Sequence, residues 1–156
     1  MKNAHKMLND ILVTLFNEIL DIEEEALSVG EFGDISVNDM HIMEAIGLEE
    51  PKNMSFIAKK MAVTMGTLTV CMNKLVKKGY VSRIRSDEDR RIVYLSLREK
   101  GRRAYEHHAA FHAEMIEAVK AGMDKKEMEV LIGSLNRLEK FFQKYMTLEE
   151  KVIDNS

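Results

Sequence analysis

Apolar residues recur at helical spacing over residues 4–28, at Leu8, Ile11, Leu12, Leu15, Phe16, Ile19, Leu20, Ile22 and Leu27. That stripe is wide enough to face more than one partner. GEFGDIS interrupts it, and a second helix fits VNDMHIMEAIGL, with Ser36 as N-cap and Asp39 as its capping-box partner. After EEPKN, the segment MSFIAKKMA forms a short third helix with Phe56, Ile57 and Met61 inward. A fourth helix occupies VTMGTLTVCMNKLVKKGY. Thr64 caps its start, and Gly79 ends it after two lysines that suit a helix C-terminus. The period then drops to two: YVSRIRS and RIVYLSLR alternate as antiparallel strands joined by DEDR. A long helix opens around residues 98–101 and reaches Ala121. Asp124 and Glu127 form a second capping box, starting a last helix with Met128, Leu131, Ile132, Leu135, Leu138, Phe141 and Phe142 on one side. That helix is expected to end near Tyr145, with residues 148–156 as a flexible tail.

This order is mainly α with a small β-hairpin wing. Helix, tight turn, helix and hairpin make a winged helix-turn-helix over residues 36–100, since a two-stranded hairpin is marginal unless it packs on its neighbours. Long helices at 1–30 and 101–147 carry surplus apolar surface, as dimerisation helices need. At 156 residues the chain is long enough for one domain with a real core. No apolar run approaches the roughly 18 residues that span a bilayer, and the N-terminus lacks a signal-peptide pattern. The single cysteine, Cys71, excludes an internal disulfide. A cytoplasmic protein without membrane partners is the expectation.

Charge changes the picture. The net charge is −3, yet residues 51–103 hold 14 Lys and Arg against 4 Asp and Glu, a net of +10. The remainder holds 9 against 22, a net of −13. A basic middle between acidic ends points to a polyanion as partner of the middle segment.

On a helical wheel of residues 66–78, Leu68, Met72 and Leu75 face inward. Gly66, Thr69, Val70, Asn73 and Lys77 face outward, with Thr67 and Lys74 at the border. A solvated face would more often carry glutamate, and this helix has none. Thr and Asn can hydrogen-bond base edges or phosphates, and Val70 can touch a thymine methyl in a major groove. Thr64 caps a turn whose free N–H groups can face a phosphate. In the hairpin, Arg83 and Arg85 share one strand face and would track phosphates. Arg90 lies at the tip, suited to a narrow minor groove, and Asp89 can pair with Arg91 to stiffen the turn. The alternative is a solvated hairpin laced with salt bridges.

The run FIAKKMAVTMGTLTVCMNKLVKKGYVSRIRSDEDRRIVYLSLREKG resembles the winged-helix core of the MarR (multiple antibiotic resistance regulator) family. The resemblance rests on the wing's Asp89-Arg90-Arg91, the alternating strand after it and the helix-opening Gly101. It departs from the family pattern at Arg98, where relatives usually have Thr. The resemblance implies a homodimeric, non-enzymatic transcription factor on a palindromic double-stranded operator, usually a repressor tuned by a ligand. Within the family, VTMGTLTVCMNKLVKKGYVSRIRSDEDRR, DMHIMEAIG and FHAEMIEAVKAGM are most similar to streptococcal-type repressors of fatty-acid synthesis genes. That similarity implies a long-chain acyl ligand, delivered on acyl carrier protein. Twelve methionines agree with an adaptable apolar pocket.

Histidine offers a competing effector. His108 and His112 stand one helical turn apart, His41 lies on the second helix, and Glu23, Glu24 and Glu25 sit late on the first, with Glu24 as the expected ligand. Such a set suits zinc and is similar to the zinc-uptake repressors of the same family, although Gly30 stands near where those supply a cysteine. The plainer reading is histidines hydrogen-bonded between helices. Cys71 reads as a small buried hydrophobe rather than a redox thiol. His-x-x-x-His with Ala109 at its second position lacks the general base of a zinc protease, and no Gly-rich phosphate loop is present. A helical adaptor that does not bind DNA would need neither the +10 segment nor the wing arginines.

Overall fold

A computed structural model describes the backbone of residues 2–153 and the side chains of residues 3–145. The element order is α1 (Lys2–Ser28), α2 (Val37–Ile46), β1 (Lys52–Asn53), α3 (Met54–Lys60), α4 (Met65–Lys77), β2 (Val81–Arg85), β3 (Val93–Leu97), α5 (Glu99–Lys120) and α6 (Lys125–Ile153). Local side-chain chemistry sets most of these boundaries. At α2, Ser36 Oγ accepts from the Asp39 N–H at 3.1 Å, and the Asp39 carboxylate accepts from the Ser36 N–H at 2.9 Å. Asn53 Oδ1 caps α3 through Phe56 N–H at 2.7 Å, and Thr64 Oγ1 caps α4 through Thr67 N–H at 3.1 Å. Asp124 and Glu127 close a reciprocal box at 2.8 Å for both bonds, starting α6. Gly79 ends α4 with φ of +81°, a left-handed conformation that only glycine adopts without strain.

The chain forms two compact units, one ending at Phe111 and the other beginning at His112, inside α5. In the first, Met40, Ile42, Met43, Ile46, Ile57, Leu68, Met72, Leu75, Tyr80, Val81 and Leu95 are fully buried. Burying one such side chain contributes about 1.5–3 kcal/mol, so this core carries the winged segment. Phe56, expected inward, is exposed instead; one residue on, the 100° helical step turns Ile57 into the core.

The wing is a three-stranded antiparallel sheet in the order β1-β3-β2, rather than the two-stranded hairpin expected. Lys52 pairs with Leu95, and Asn53 with Tyr94. A two-residue strand shows no alternation, which is why the pattern missed it. β2 and β3 pair from Val81↔Leu97 to Arg85↔Val93, so β3 starts later than RIVYLSLR suggested. Arg91 and Ile92 belong to the turn, where Ile92 N–H donates to the Asp89 carbonyl at 2.9 Å.

Gly101 seats α5 against this sheet. A Cβ there would lie 2.2 Å from the Tyr80 carbonyl oxygen, so the helix approaches as closely as it does only because the residue is glycine. The second unit is different in kind. Among the described residues from His112 onward none is buried, and Val130, Ile132, Leu135, Phe141, Phe142 and Tyr145 stand exposed on α6. α6 continues to Ile153 through most of the expected tail, and residues 154–156 lie outside the described residues. No helix among the described residues is long and apolar enough to cross a membrane.

Candidate nucleic-acid interface

α4 turns Leu68, Met72 and Leu75 into the core, which leaves Thr67, Thr69, Val70, Asn73 and Lys77 on its open side. Val70, 70% exposed, is the most open large apolar residue of that helix. Two hydroxyls are already engaged. Thr67 Oγ1 accepts from the Thr64 hydroxyl at 3.0 Å, and Thr69 Oγ1 donates to the Met65 carbonyl at 2.7 Å. Thr69 therefore presents lone pairs outward, suited to a donor such as an adenine or cytosine amino group. Cys71 is half-buried at the edge of the core.

The wing meets this helix through one hydrogen bond that the sequence did not reveal. Arg83, on β2, donates to Asn73 Oδ1 at 3.0 Å, joining two residues read separately as a phosphate contact and a base reader. Beside it, Ser55, Thr69, Arg83, Arg85 and Arg91 line an open cleft of about 480 Å³. Three guanidinium groups around one cleft concentrate positive potential between wing and helix.

At the tip, Ser86 Oγ accepts from the N–H groups of Glu88 and Asp89 at 3.2 and 3.3 Å. Asp89 then grips Arg91 with both oxygens: the guanidinium donates to Oδ1 and Oδ2 at 3.0 Å, and the Arg91 N–H also donates to Oδ1 at 3.0 Å. The Arg91 guanidinium holds the Asp89 carboxyl below the usual carboxylate range, and the carboxylate raises Arg91 in turn. Arg90 is exposed and has no intramolecular hydrogen bond or ion pair among the described residues. The turn is stiff, and its one uncommitted cation points outward.

Lys74, exposed at the border of that face, turns its ammonium toward α2. Its ammonium lies 2.6 Å from Oδ2 of the buried Asp39 on α2, because a flexible four-carbon stem at the border of the helix can fold back to an uncompensated carboxylate.

Behind the interface, the loop after α1 is tied to the winged segment by charge. Asp34 Oδ1 accepts from the Tyr80 hydroxyl at 2.5 Å, Lys100 lies 3.6 Å from Asp34, and Arg103 pairs with Glu31. The Tyr80 hydroxyl bond lowers Asp34, the Arg103 bond lowers Glu31, and burial pushes the Tyr80 phenol well above its ordinary value.

The histidine cluster forms with a change of member. Glu23, not Glu24, supplies the carboxylate: Glu24 is exposed, while the helical step places Glu23 inward at 3% exposure. His108, also 3% exposed, has Nε2 3.1 Å from Glu23 Oε1 and Nδ1 3.1 Å from Glu44 Oε1. A proton on either ring nitrogen thus meets a carboxylate oxygen. His41 Nε2 lies 3.6 Å from Glu23 Oε2, and its ring meets that of His108 edge-on at 5.7 Å. One ligand atom each from Glu23, His41 and His108 fall within 4.8 Å of one another, a donor set of the kind that could hold a cation. His112 begins the second unit, one helical turn after His108 on α5.

A family model described as MarR matches residues 35–93. The solved structure of Streptococcus pneumoniae FabT in complex with DNA is similar, with a TM-score of 0.83 and 38% identity over 90% of this chain and 99% of that one. The regulator BldR from Sulfolobus solfataricus follows with a TM-score of 0.62 and 25% identity, covering 88% and 95%. The Bacillus subtilis transcriptional regulator PchR is 28% identical over 121 residues, 78% of this chain and 70% of that protein.

Proposed function

This chain belongs to the MarR family of DNA-binding transcriptional regulators, and from that premise we propose that it is a homodimeric repressor of lipid (fatty-acid) biosynthesis genes. Members of the family are DNA-binding proteins rather than enzymes, and they act as dimers. The observation that carries the DNA reading is the pairing of a carboxylate-free helix α4 with a braced wing whose Arg90 is unspent. Thr67, Thr69, Val70, Asn73 and Lys77 enter the major groove, the first turn of α4 beyond Thr64 faces a phosphate, and Arg90 enters the adjacent minor groove. Arg83, Arg85 and Arg91 supply cations along the backbone between them. Two copies joined through α1 and α6 present two α4 helices to the half-sites of a palindrome.

The lipid assignment is supported by the similarity to FabT, a fatty-acid synthesis repressor, along almost the whole of that protein. The effector is then a long-chain acyl group on acyl carrier protein, and the site of action is the cytoplasm. Sequencing the genomic fragments that the purified protein retains tests the targets, with promoters of fatty-acid synthesis genes expected. Adding acyl carrier protein bearing a long acyl chain to a gel-shift titration should move the midpoint, whereas the unacylated carrier should not. Retained fragments from unrelated promoters, with no response to the acylated carrier, would refute the lipid assignment and leave the DNA reading standing.

A further inference from the structure

We propose that Asp39 is a positioning residue for DNA recognition: through its ion pair with Lys74 it fixes the roll of α4, so that Lys74 serves the pose of the helix and does not contact DNA. The inference rests on the DNA-binding reading above.

Asp39 is 1% exposed. Its Oδ2 accepts from the Lys74 ammonium at 2.6 Å and from the Ser36 N–H at 2.9 Å, while its Oδ1 has no hydrogen-bond partner among the described residues. A buried carboxylate with one oxygen unmet depends heavily on the few donors it has. For Lys74 to leave for a phosphate, that charge would lose its ammonium. An exposed ion pair contributes little in return, so the balance keeps Lys74 on Asp39.

Geometry says what the pair controls. Asp39 is held by the capping box of α2: its N–H donates to Ser36 Oγ at 3.1 Å while its carboxylate returns the contact. The carboxylate therefore cannot swing after a moving lysine. On α4, Leu68, Met72 and Leu75 fix the distance to the core, but apolar contacts are not directional and permit rotation about the helix axis. The Asp39–Lys74 bond comes from the flank of the helix and is directional. Lys74 follows Asn73, and a turn of α4 that parted the pair would also swing Asn73 and Val70. It would strain the Arg83–Asn73 bond to the wing as well.

The test uses the full chain and a duplex enriched from a random-sequence library by the wild-type protein. Lys74→Met keeps the apolar stem and the α2 cap. With folding confirmed by circular dichroism at the assay temperature, it should lose about tenfold in affinity for the selected duplex, the size of one base contact. Affinity for unrelated duplex, and the slope of log affinity against log salt, should stay at the wild-type values. Asp39→Asn should show the same pattern, and the double variant should lose no more than either single one, as partners in one interaction do. A slope shallower by about 0.9 in Lys74→Met, with parallel loss on unrelated duplex, would make Lys74 a phosphate contact and overturn the proposal. Unchanged affinity in folded Lys74→Met would overturn it too, since the pair would then be structural only. Failure of the wild type to enrich any duplex would defeat the DNA reading itself, a separate result.

Discussion

The winged segment and the terminal helices use the same kinds of residue to opposite effect. Between Ile35 and Ala104, methionines and branched aliphatics close around Met40, Leu68 and Tyr80 into one buried core, and the apolar side chains left open, such as Phe56, Val70 and Ile84, stand on separate elements. Along α1, from residue 3 to residue 22, every side chain except Ile19 is exposed, with Leu8, Ile11, Leu15 and Phe16 among them. α6 repeats this, with Leu135 and Phe142 open. A monomer rarely tolerates such stripes, and in the homodimer proposed above they are what α1 and α6 offer to a second copy. The basic charge lies in the winged segment, and the acidic charge lies mostly outside it.

The hardest way to break that contrast is on the open side. Phe16→Asp, at a position 66% exposed, should leave the winged core folded yet convert a dimer to monomers. Losing the linked second half-site should cost about 10²–10⁴-fold in operator affinity. Light scattering coupled to size exclusion, with gel-shift titration, reads both. A variant that stays dimeric with full affinity would remove α1 from the interface.

On the closed side the effects fall on stability. His108→Leu removes the bridge to Glu23 and Glu44 and faces the buried Glu23 carboxylate with a side chain that cannot donate. About 3 kcal/mol of unfolding free energy should be lost in a urea titration. Gly101→Ala drives a methyl group into the Tyr80 carbonyl, and about 2 kcal/mol should follow. The same change at Gly133 on α6, where an added Cβ meets only the far end of Arg137, should be neutral or slightly stabilising.

The smallest effect is on pH. Asp34, Glu31 and Asp89 titrate below their ordinary range in the folded chain. The stability they contribute is therefore present above that range and lost as pH falls through their folded values. Tyr80 is raised, so its contribution is present below its ordinary value of 10.0 and lost as pH rises beyond it. The melting temperature should form a plateau from about pH 5 to about pH 10 and fall on both sides. Asp34→Asn should flatten the acid side slightly, because these groups are exposed and screened.

What could be read in the sequence was local. The capping boxes at Ser36–Asp39 and Asp124–Glu127, the cap at Thr64 and the stop at Gly79 rest on residues three or four apart, and each lies where the spacing put it. The pairing of Asp89 with Arg91 is likewise a two-residue matter. What could not be read was long-range or depended on rotation. β1 is too short for a period, Lys74 reaches across 35 positions to Asp39, and Asn73 meets Arg83 only after the chain turns back. Among three consecutive glutamates, the one that faces the histidines is decided by a single helical step, and only the packing of α1 on α2 shows it to be Glu23, with Glu24 exposed.

The central claim, that the braced wing delivers Arg90 to DNA, is tested most directly by titrating wild-type and Arg90→Ala protein against the selected duplex at several salt concentrations. Wild-type affinity should fall linearly on a log–log plot, steepening by about 0.9 for each phosphate neutralised. Arg90→Ala should bind the selected duplex about tenfold more weakly while remaining folded and dimeric, the range for one good groove contact. Equal affinities for the two proteins would contradict the account.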